Sequence, residues 1–249
     1  MTEIDLDEDD SGGEPSSDEP DEPRTRRRWV LFLVLGMVVL LGLGVGLGFA
    51  LSGGSGPVAG PEGVPIVHVP DLAPADSTMS GAPVGGITCR TAKEELVKYH
   101  IHAYVTVFVD GQQKRLPAGA GIAAPVFVEH LANGLFVDNS VNGCLYWIHL
   151  HANDNVIHVE SPYKGVFTLG QFFRIWQQPL GVDQVGPARG PVVAFENGKR
   201  FTGNPQDVPL LPHTVIQLDV GTLVAFHPVE FNVTGLCGGS TTGCSNSGG

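Results

Sequence analysis

The feature that most limits what this chain can fold into is an apolar segment at residues 29–51. Its 23 residues include no charged side chain and no proline. As a helix it would be roughly 35 Å long, enough to cross a hydrocarbon core of about 30 Å. A cleaved signal peptide is the alternative, but its apolar region is normally only about 7–15 residues long. The sequence therefore predicts one uncleaved transmembrane helix.

Basic residues on one side of this segment predict its orientation. Arg24, Arg26, Arg27 and Arg28 directly precede it, and the next Lys or Arg along the chain is Arg90. Because Lys and Arg favour the cytoplasmic side of a membrane, we expect a cytoplasmic N-terminus and an extracytoplasmic remainder. The predicted location is the cell membrane, with the lipid bilayer as the partner of residues 29–51.

Small residues in the outer half of the apolar segment indicate a further interaction. Gly42, Gly44, Gly46 and Gly48 form overlapping small-xxx-small pairs. Such pairs let two helices approach closely, so self-association is one interpretation. The other is that glycine is simply common in membrane helices. The sequence identifies no other protein partner.

Composition divides the rest of the chain. Residues 1–28 hold 11 acids against 4 arginines, which is typical of a disordered tail. Residues 52–87 hold 8 Gly and 6 Pro, which predicts a stalk. We expect an extracytoplasmic domain at 88–236 and a flexible tail at 237–249. The net charge of −12, without a basic stripe, argues against nucleic acid as a partner.

Alternating apolar residues and turn signals predict a mainly β domain, an antiparallel sandwich or barrel-like fold with one or two short helices. The predicted strands are residues 99–109, 144–151, 156–160, 191–195 and 214–220, with 222–226 as a candidate continuation. Hairpin turns are predicted at Asp110-Gly111, at residues 153–155 and at Asn197-Gly198.

One helix has clear start and stop signals. Thr168 is a suitable N-cap, and Gln171 completes a capping box. Apolar residues then recur at helical spacing, and Pro179 marks the predicted end. We expect the apolar face to pack on a sheet.

All four cysteines follow the apolar segment, on the side where disulfides persist. Four cysteines allow three pairings, and the sequence does not choose among them. We favour Cys89–Cys144 and Cys237–Cys244, of which the second closes a short Gly/Ser/Thr loop. A cysteine metal site is the alternative, but the spacings do not resemble a zinc ribbon.

The histidines carry the functional signal. His100 and His102, His149 and His151, and His158 and Glu160 form three pairs at i, i+2 spacing on predicted strands. Residues at this spacing project to one face of a strand, and imidazole and carboxylate are ordinary ligands of divalent metals. The six residues are therefore candidate ligands of a metal ion, with copper or zinc as the candidates.

The hairpin around residues 153–155 has a predicted register. A loop of two or four residues pairs His149 with His158 and Trp147 with Glu160. His149, His151, His158 and Glu160 then share one face. His100 and His102 can complete the site only if their strand lies beside this hairpin.

Several of these segments together resemble those of a widespread group of uncharacterised bacterial envelope proteins, often membrane-anchored and common in actinobacteria. The segments are Gly-Ile-Thr-Cys89, Tyr-His100-Ile-His102, Cys144-Leu-Tyr-Trp-Ile-His149-Leu-His151, His158-Val-Glu160-Ser-Pro162 and Thr168-Leu-Gly-Gln-Phe-Phe173. The resemblance implies the domain boundaries and an envelope location. It implies no activity.

Three functions remain open on the sequence. The first is metal binding or handling at the envelope, and the second is a metal-dependent oxidase, oxygenase or hydrolase. The third is a non-catalytic interaction domain with structural histidines. No serine-hydrolase elbow, Walker loop or dinucleotide fingerprint is present, so no catalytic residue is assigned.

Overall fold

The computed structural model describes residues 63–75, 79–131 and 134–231. The predicted acidic tail, the apolar segment at 29–51 with its glycines, and Cys237 and Cys244 lie outside these ranges. Within the described ranges, no helix has the length and apolar character that crossing a membrane requires. All described residues belong to one compact unit of the chain, which begins at Gly56.

The described chain is mainly β, as the sequence predicts, with one α-helix. The helix is α1 (Leu169–Ile175), and a 3-10 turn follows at Pro205–Asp207. The strands are β1 (Cys89–Arg90), β2 (Tyr99–Val109), β3 (Gln112–Lys114), β4 (Ile122–Ala123), β5 (Val126–Leu131), β6 (Gly134–Asn139), β7 (Cys144–Tyr146), β8 (Ile148–His149), β9 (Val156–Ser161), β10 (Phe167–Thr168), β11 (Gln184–Val185), β12 (Ala188–Arg189), β13 (Val192–Glu196), β14 (Lys199–Phe201), β15 (Pro209–Leu210) and β16 (Val215–Val220).

A seven-stranded sheet organises the domain. Its order is β14-β13-β16-β2-β9-β8, with β3 paired to the end of β2. The β16–β2 pair is parallel, so the sheet is mixed rather than antiparallel throughout. Parallel pairing arises here because β2 and β16 are joined by a long stretch of chain rather than by a hairpin. The arrangement is consistent with a β-sandwich.

The two faces of this sheet carry different residues. On one face, apolar side chains of β2, β9 and β16 pack with α1 in the main hydrophobic core. The other face carries histidines near the start of β2 and a small apolar cluster around Tyr104 and Val156 farther along it. The histidine face is therefore held in place by the core on the opposite side.

Turn chemistry produces the predicted hairpins. Asp110 and Gly111 have positive φ angles of 49° and 80°, and Asn197 and Gly198 have the same values. Type I′ turns require positive φ at both central positions, which Asp-Gly and Asn-Gly tolerate. These two turns join β2 to β3 and β13 to β14, so the hairpins predicted at Asp110-Gly111 and Asn197-Gly198 are confirmed.

The helix begins as predicted and ends earlier. Thr168 accepts a hydrogen bond from the Gln171 backbone N–H, and the Gln171 side chain accepts one from the Thr168 backbone N–H, which confirms the capping box. The helix ends at Ile175 with Trp176 as its C-cap, rather than at Pro179. Gln177 has a φ of +59°, a left-handed conformation that ends a right-handed helix.

The predicted strand at 144–151 is divided in two at Trp147. β7 pairs with β1 and β4 in a separate three-stranded sheet, while β8 pairs with β9 in the large sheet. The chain leaves one sheet and joins the other at this residue, which stacks edge-on against Tyr163 and Phe167. The favoured Cys89–Cys144 disulfide is present and joins β1 to β7.

Parts of the segment predicted as a stalk pack on the domain. Val64 and Ile87 are almost fully buried, and the Trp176 indole N–H donates to the carbonyl of Pro74 at 2.9 Å. Pro and Gly prevent regular structure in this segment, but its few apolar residues still reach the core. The Gly/Pro-rich composition of this segment does not predict that its few apolar residues are buried.

Residues 222–226 do not continue the sheet. Their backbone groups are bound by side chains of β16 instead, since the Val224 N–H donates to the Asp219 carboxylate at 2.9 Å. The Gln217 side-chain oxygen likewise accepts from the backbone N–H of His227. These side chains replace the hydrogen bonds that a further strand would have supplied.

Candidate metal site

Three adjacent strands bring the histidine pairs together. β2 pairs with β9 so that His100 lies opposite Glu160 and His102 opposite His158. On the other side of β9, His149 of β8 lies opposite His158, which is the predicted hairpin register. Directly opposed residues share a face of the sheet. The strand that carries His100 and His102 therefore lies beside the hairpin, as a site that includes these two residues requires.

The cluster runs from the interior to the surface. His149 is fully buried, and His158, His102 and His151 are 4%, 7% and 8% exposed. His100 lies at the outer end and is exposed. Burying this many polar rings without partners would be costly, so the site must satisfy them through hydrogen bonds or a bound cation.

His158 lies at the centre of the cluster. Its ring centroid is 4.5 Å from that of His102, 4.9 Å from that of His151 and 5.3 Å from that of His149. Its Nδ1 lies 3.4 Å from the Glu160 carboxylate, which also contacts His100 Nε2 at 3.0 Å. Every candidate ligand therefore lies beside His158.

Backbone carbonyls determine the tautomers of the two inner histidines. His149 Nδ1 lies 2.7 Å from the carbonyl oxygen of Tyr146, and His151 Nδ1 lies 2.8 Å from that of Val137. A carbonyl oxygen only accepts, so each Nδ1 carries a hydrogen and donates it. In the neutral rings, both Nε2 atoms then carry lone pairs.

The two Nε2 atoms point toward each other. They are 2.9 Å apart, a distance at which two lone pairs repel unless a proton lies between them or a cation binds both from one side. Histidines that bind metals commonly donate their second ring N–H to a carbonyl in this way, which orients the ligating nitrogen. The pair therefore has the arrangement of two metal ligands.

Burial makes a proton an unfavourable bridge between the two Nε2 atoms. Desolvation is the main cause that lowers the pKa of both His149 and His151, and neighbouring histidines lower each pKa further. Desolvation also lowers the pKa of His102 to about 2. The rings are thus neutral near pH 7, which is the form that binds metal.

Glu160 supplies the negative charge of the cluster. Burial raises its pKa, but its contacts with His100 and His158 outweigh burial and hold the pKa below the ordinary value. The carboxylate is therefore ionised beside the neutral rings. His149, His151, His158 and Glu160 form one set that can hold a metal ion, and His100, His102 and His158 form another.

These pKa shifts predict acid sensitivity of the metal-free protein. Because the folded-state pKa values of the buried histidines are lowered, the unfolded chain binds more protons below about pH 6.5. We expect the urea midpoint to fall as the pH decreases from about 7.5 to about 5.5. His102→Gln should reduce this pH dependence, whereas His130→Gln, at an exposed position, should not. A midpoint independent of pH would contradict the assignment of neutral buried rings.

A cleft opens beside the outer end of the cluster. It has a volume of about 210 Å³, and its walls include Glu95, Trp147 and Glu160. Partial desolvation and the nearby Glu160 raise the pKa of Glu95 to about 7. Glu160 thus lines the cleft and also contacts His100 and His158.

Some groups around the site were not predicted as candidates. Asp138 of β6 lies 4.0 Å from His151 Nδ1, and Glu95 lies near Glu160. The carbonyls of Val137 and Tyr146 orient the inner rings but carry no sequence signal. His130 and His213 lie outside both ligand sets.

Comparison with known proteins does not extend these observations. No protein-family model, curated protein or solved structure gives a significant match to this chain. The geometry of its own residues therefore carries the functional argument.

Proposed function

We propose that this protein binds a divalent transition metal at the cell envelope and takes part in metal binding or handling there. The observation that carries the proposal is the pair of Nε2 atoms of His149 and His151, which lie 2.9 Å apart while the Nδ1 atom of each ring lies against a backbone carbonyl oxygen. A metal ion bound by both lone pairs removes their repulsion. His158 and Glu160 are close enough to complete the coordination.

The donor set favours copper or zinc. Its atoms are imidazole nitrogens and a carboxylate oxygen, which suit both ions. The two described cysteines are joined in a disulfide and are not thiolate ligands. For a given nitrogen and oxygen site, Cu²⁺ binds more tightly than Zn²⁺.

The envelope location rests on three supports. The Cys89–Cys144 disulfide is of a kind that persists outside the cytosol. The arginines before residue 29 favour a cytoplasmic N-terminus, with the apolar segment 29–51 as a membrane anchor. From the segments quoted above, we further propose that the chain is related to membrane-anchored envelope proteins. In this proposal the lipid bilayer is a partner, and self-association through Gly42–Gly48 is an additional one.

Metal content tests the proposal directly. We expect the full-length protein, loaded with Cu²⁺ or Zn²⁺ and separated from unbound ion, to retain metal on elemental analysis. His149→Ala with His151→Ala should weaken binding of the ion held by these two rings by about 100-fold or more, since removing ligands exceeds the about 10–100-fold cost of losing an outer-sphere partner.

The matched control changes two histidines outside the cluster. His68 and His130 are exposed, and His68→Ala with His130→Ala should leave the bound metal unchanged. Circular dichroism of each variant checks that it is folded. A folded wild-type protein that retains no metal would overturn the proposal and favour an interaction domain with structural histidines.

A metal-dependent enzyme is the second candidate, and the cleft favours it. Glu160 lines the cleft and also contacts His100 and His158, so a small molecule in the cleft would lie next to a candidate ligand. Catalysis requires a coordination position open to substrate. If azide shifts the visible spectrum of the Cu²⁺-loaded protein, the ion is open to ligands, whereas an unchanged spectrum favours storage or transfer.

A further inference from the structure

The candidate ligands are too many for one ion and fall into two sets. His149 and His151 belong to an inner set, and His100 and His102 belong to an outer set. Structural zinc normally takes four ligands, whereas the cluster offers five histidines and a glutamate. His149 on β8 and His102 on β2 lie on the two strands that flank β9, so their backbones are roughly 10 Å apart.

His158 belongs to both sets. It lies on β9, between the inner pair and the outer pair, and its ring contacts those of His102, His149 and His151. An imidazole ring has two nitrogens on different edges, and each can bind a metal. The Nδ1 of His158 lies 3.4 Å from the Glu160 carboxylate, which contacts the outer His100 and also belongs to the ligand set of the inner pair.

Carboxylates lie on both sides of the cluster. Glu160 contacts the outer His100, and Glu95 lies near Glu160 on the wall of the cleft. Asp138 lies 4.0 Å from the inner His151. Two divalent ions bring four positive charges, and negative groups near both positions reduce the repulsion between them.

We propose that the cluster holds two divalent metal ions, an inner ion bound by His149 and His151 and an outer ion bound by His100 and His102, with His158 binding both. This inference rests on the proposed function. His158 binds one ion through each ring nitrogen, and its remaining ring proton is released to solvent when the second ion binds. The outer position lies next to the exposed end of the cluster, so its ion exchanges first.

Copper stoichiometry and electron paramagnetic resonance test the inference on the full-length protein. We expect two Cu²⁺ per chain, with a signal weaker than two independent spins because the shared ring couples the ions. His100→Ala with His102→Ala should leave one Cu²⁺ per chain with the full signal of one spin. His149→Ala with His151→Ala should likewise leave one.

The control and the opposing results separate the two proposals. His68→Ala with His130→Ala should keep both ions and their coupling, because both side chains are exposed and outside the cluster. One Cu²⁺ per wild-type chain would overturn the two-ion site and leave the proposed function intact. No bound Cu²⁺ in the folded protein would overturn both. Two ions whose coupling persists in His158→Ala would overturn the shared role of His158.

Discussion

Replacing Cys89 and Cys144 with serine is expected to lower the free energy of unfolding by about 4 kcal/mol, the loop-entropy value for a bridge of this span. The disulfide joins residues 55 apart in sequence, so it removes many conformations from the unfolded chain. It also holds β1 against β7, whose Tyr146 carbonyl orients His149. The variant should therefore also bind metal less tightly.

Urea unfolding under non-reducing conditions measures this effect. Cys237→Ser with Cys244→Ser is the matched control, since the second predicted bridge closes a much shorter loop and should contribute about 2.5 kcal/mol by the same relation. A loss below about 1 kcal/mol in the Cys89/Cys144 variant would show that the unfolded chain gains little freedom from this bridge.

Replacing Gly121 with alanine is expected to lower the free energy of unfolding by about 2–5 kcal/mol. Its φ of +86° costs about 1–2 kcal/mol for a residue with a Cβ atom, and overpacking adds about 1–3 kcal/mol. The new Cβ would lie 2.8 Å from the Cα of His149 and closer still to the Ile148 carbonyl oxygen. Since backbone must move, His149 is displaced and metal affinity falls with stability.

Gly86 is the control for the free-energy cost of positive φ in a residue with a Cβ atom. It has nearly the same φ, +85°, and nothing lies within 4 Å of an added Cβ. Gly86→Ala should therefore cost only the conformational part, about 1–2 kcal/mol, and leave metal binding unchanged. An equal loss in the free energy of unfolding for both variants would show that the close approach of Gly121 to the His149 segment adds nothing to the cost of the Gly121 substitution.

The sequence was sufficient for features that depend on neighbouring residues. Strict alternation predicted β2 with its observed bounds, and Asp110-Gly111 predicted the turn that follows it. The His149–His158 register could also be predicted, because a short loop and a two-residue period allow few pairings. The capping box at Thr168 was equally local.

Only the tertiary structure decided which distant strands meet. Nothing near His100 indicates that it pairs with Glu160, and nothing near β16 indicates a parallel pairing with β2. The division of the strand at Trp147 also depends on a second sheet built from β1 and β4. Such pairings are selected by the packing of the whole core, because segments far apart in sequence carry no local signal for one another.

The candidate site divides in the same way. Its ligand types and the face on which each pair lies follow from i, i+2 spacing in a strand, which is a local property of the sequence. The ligands assemble around His158 only when the strands that carry them pair in the folded protein. The carbonyls that direct the two Nε2 atoms toward each other also come from parts of the chain that meet only on folding. The sequence alone determined the donors, and tertiary packing decided their geometry, because a strand fixes side-chain direction but not which strand lies beside it.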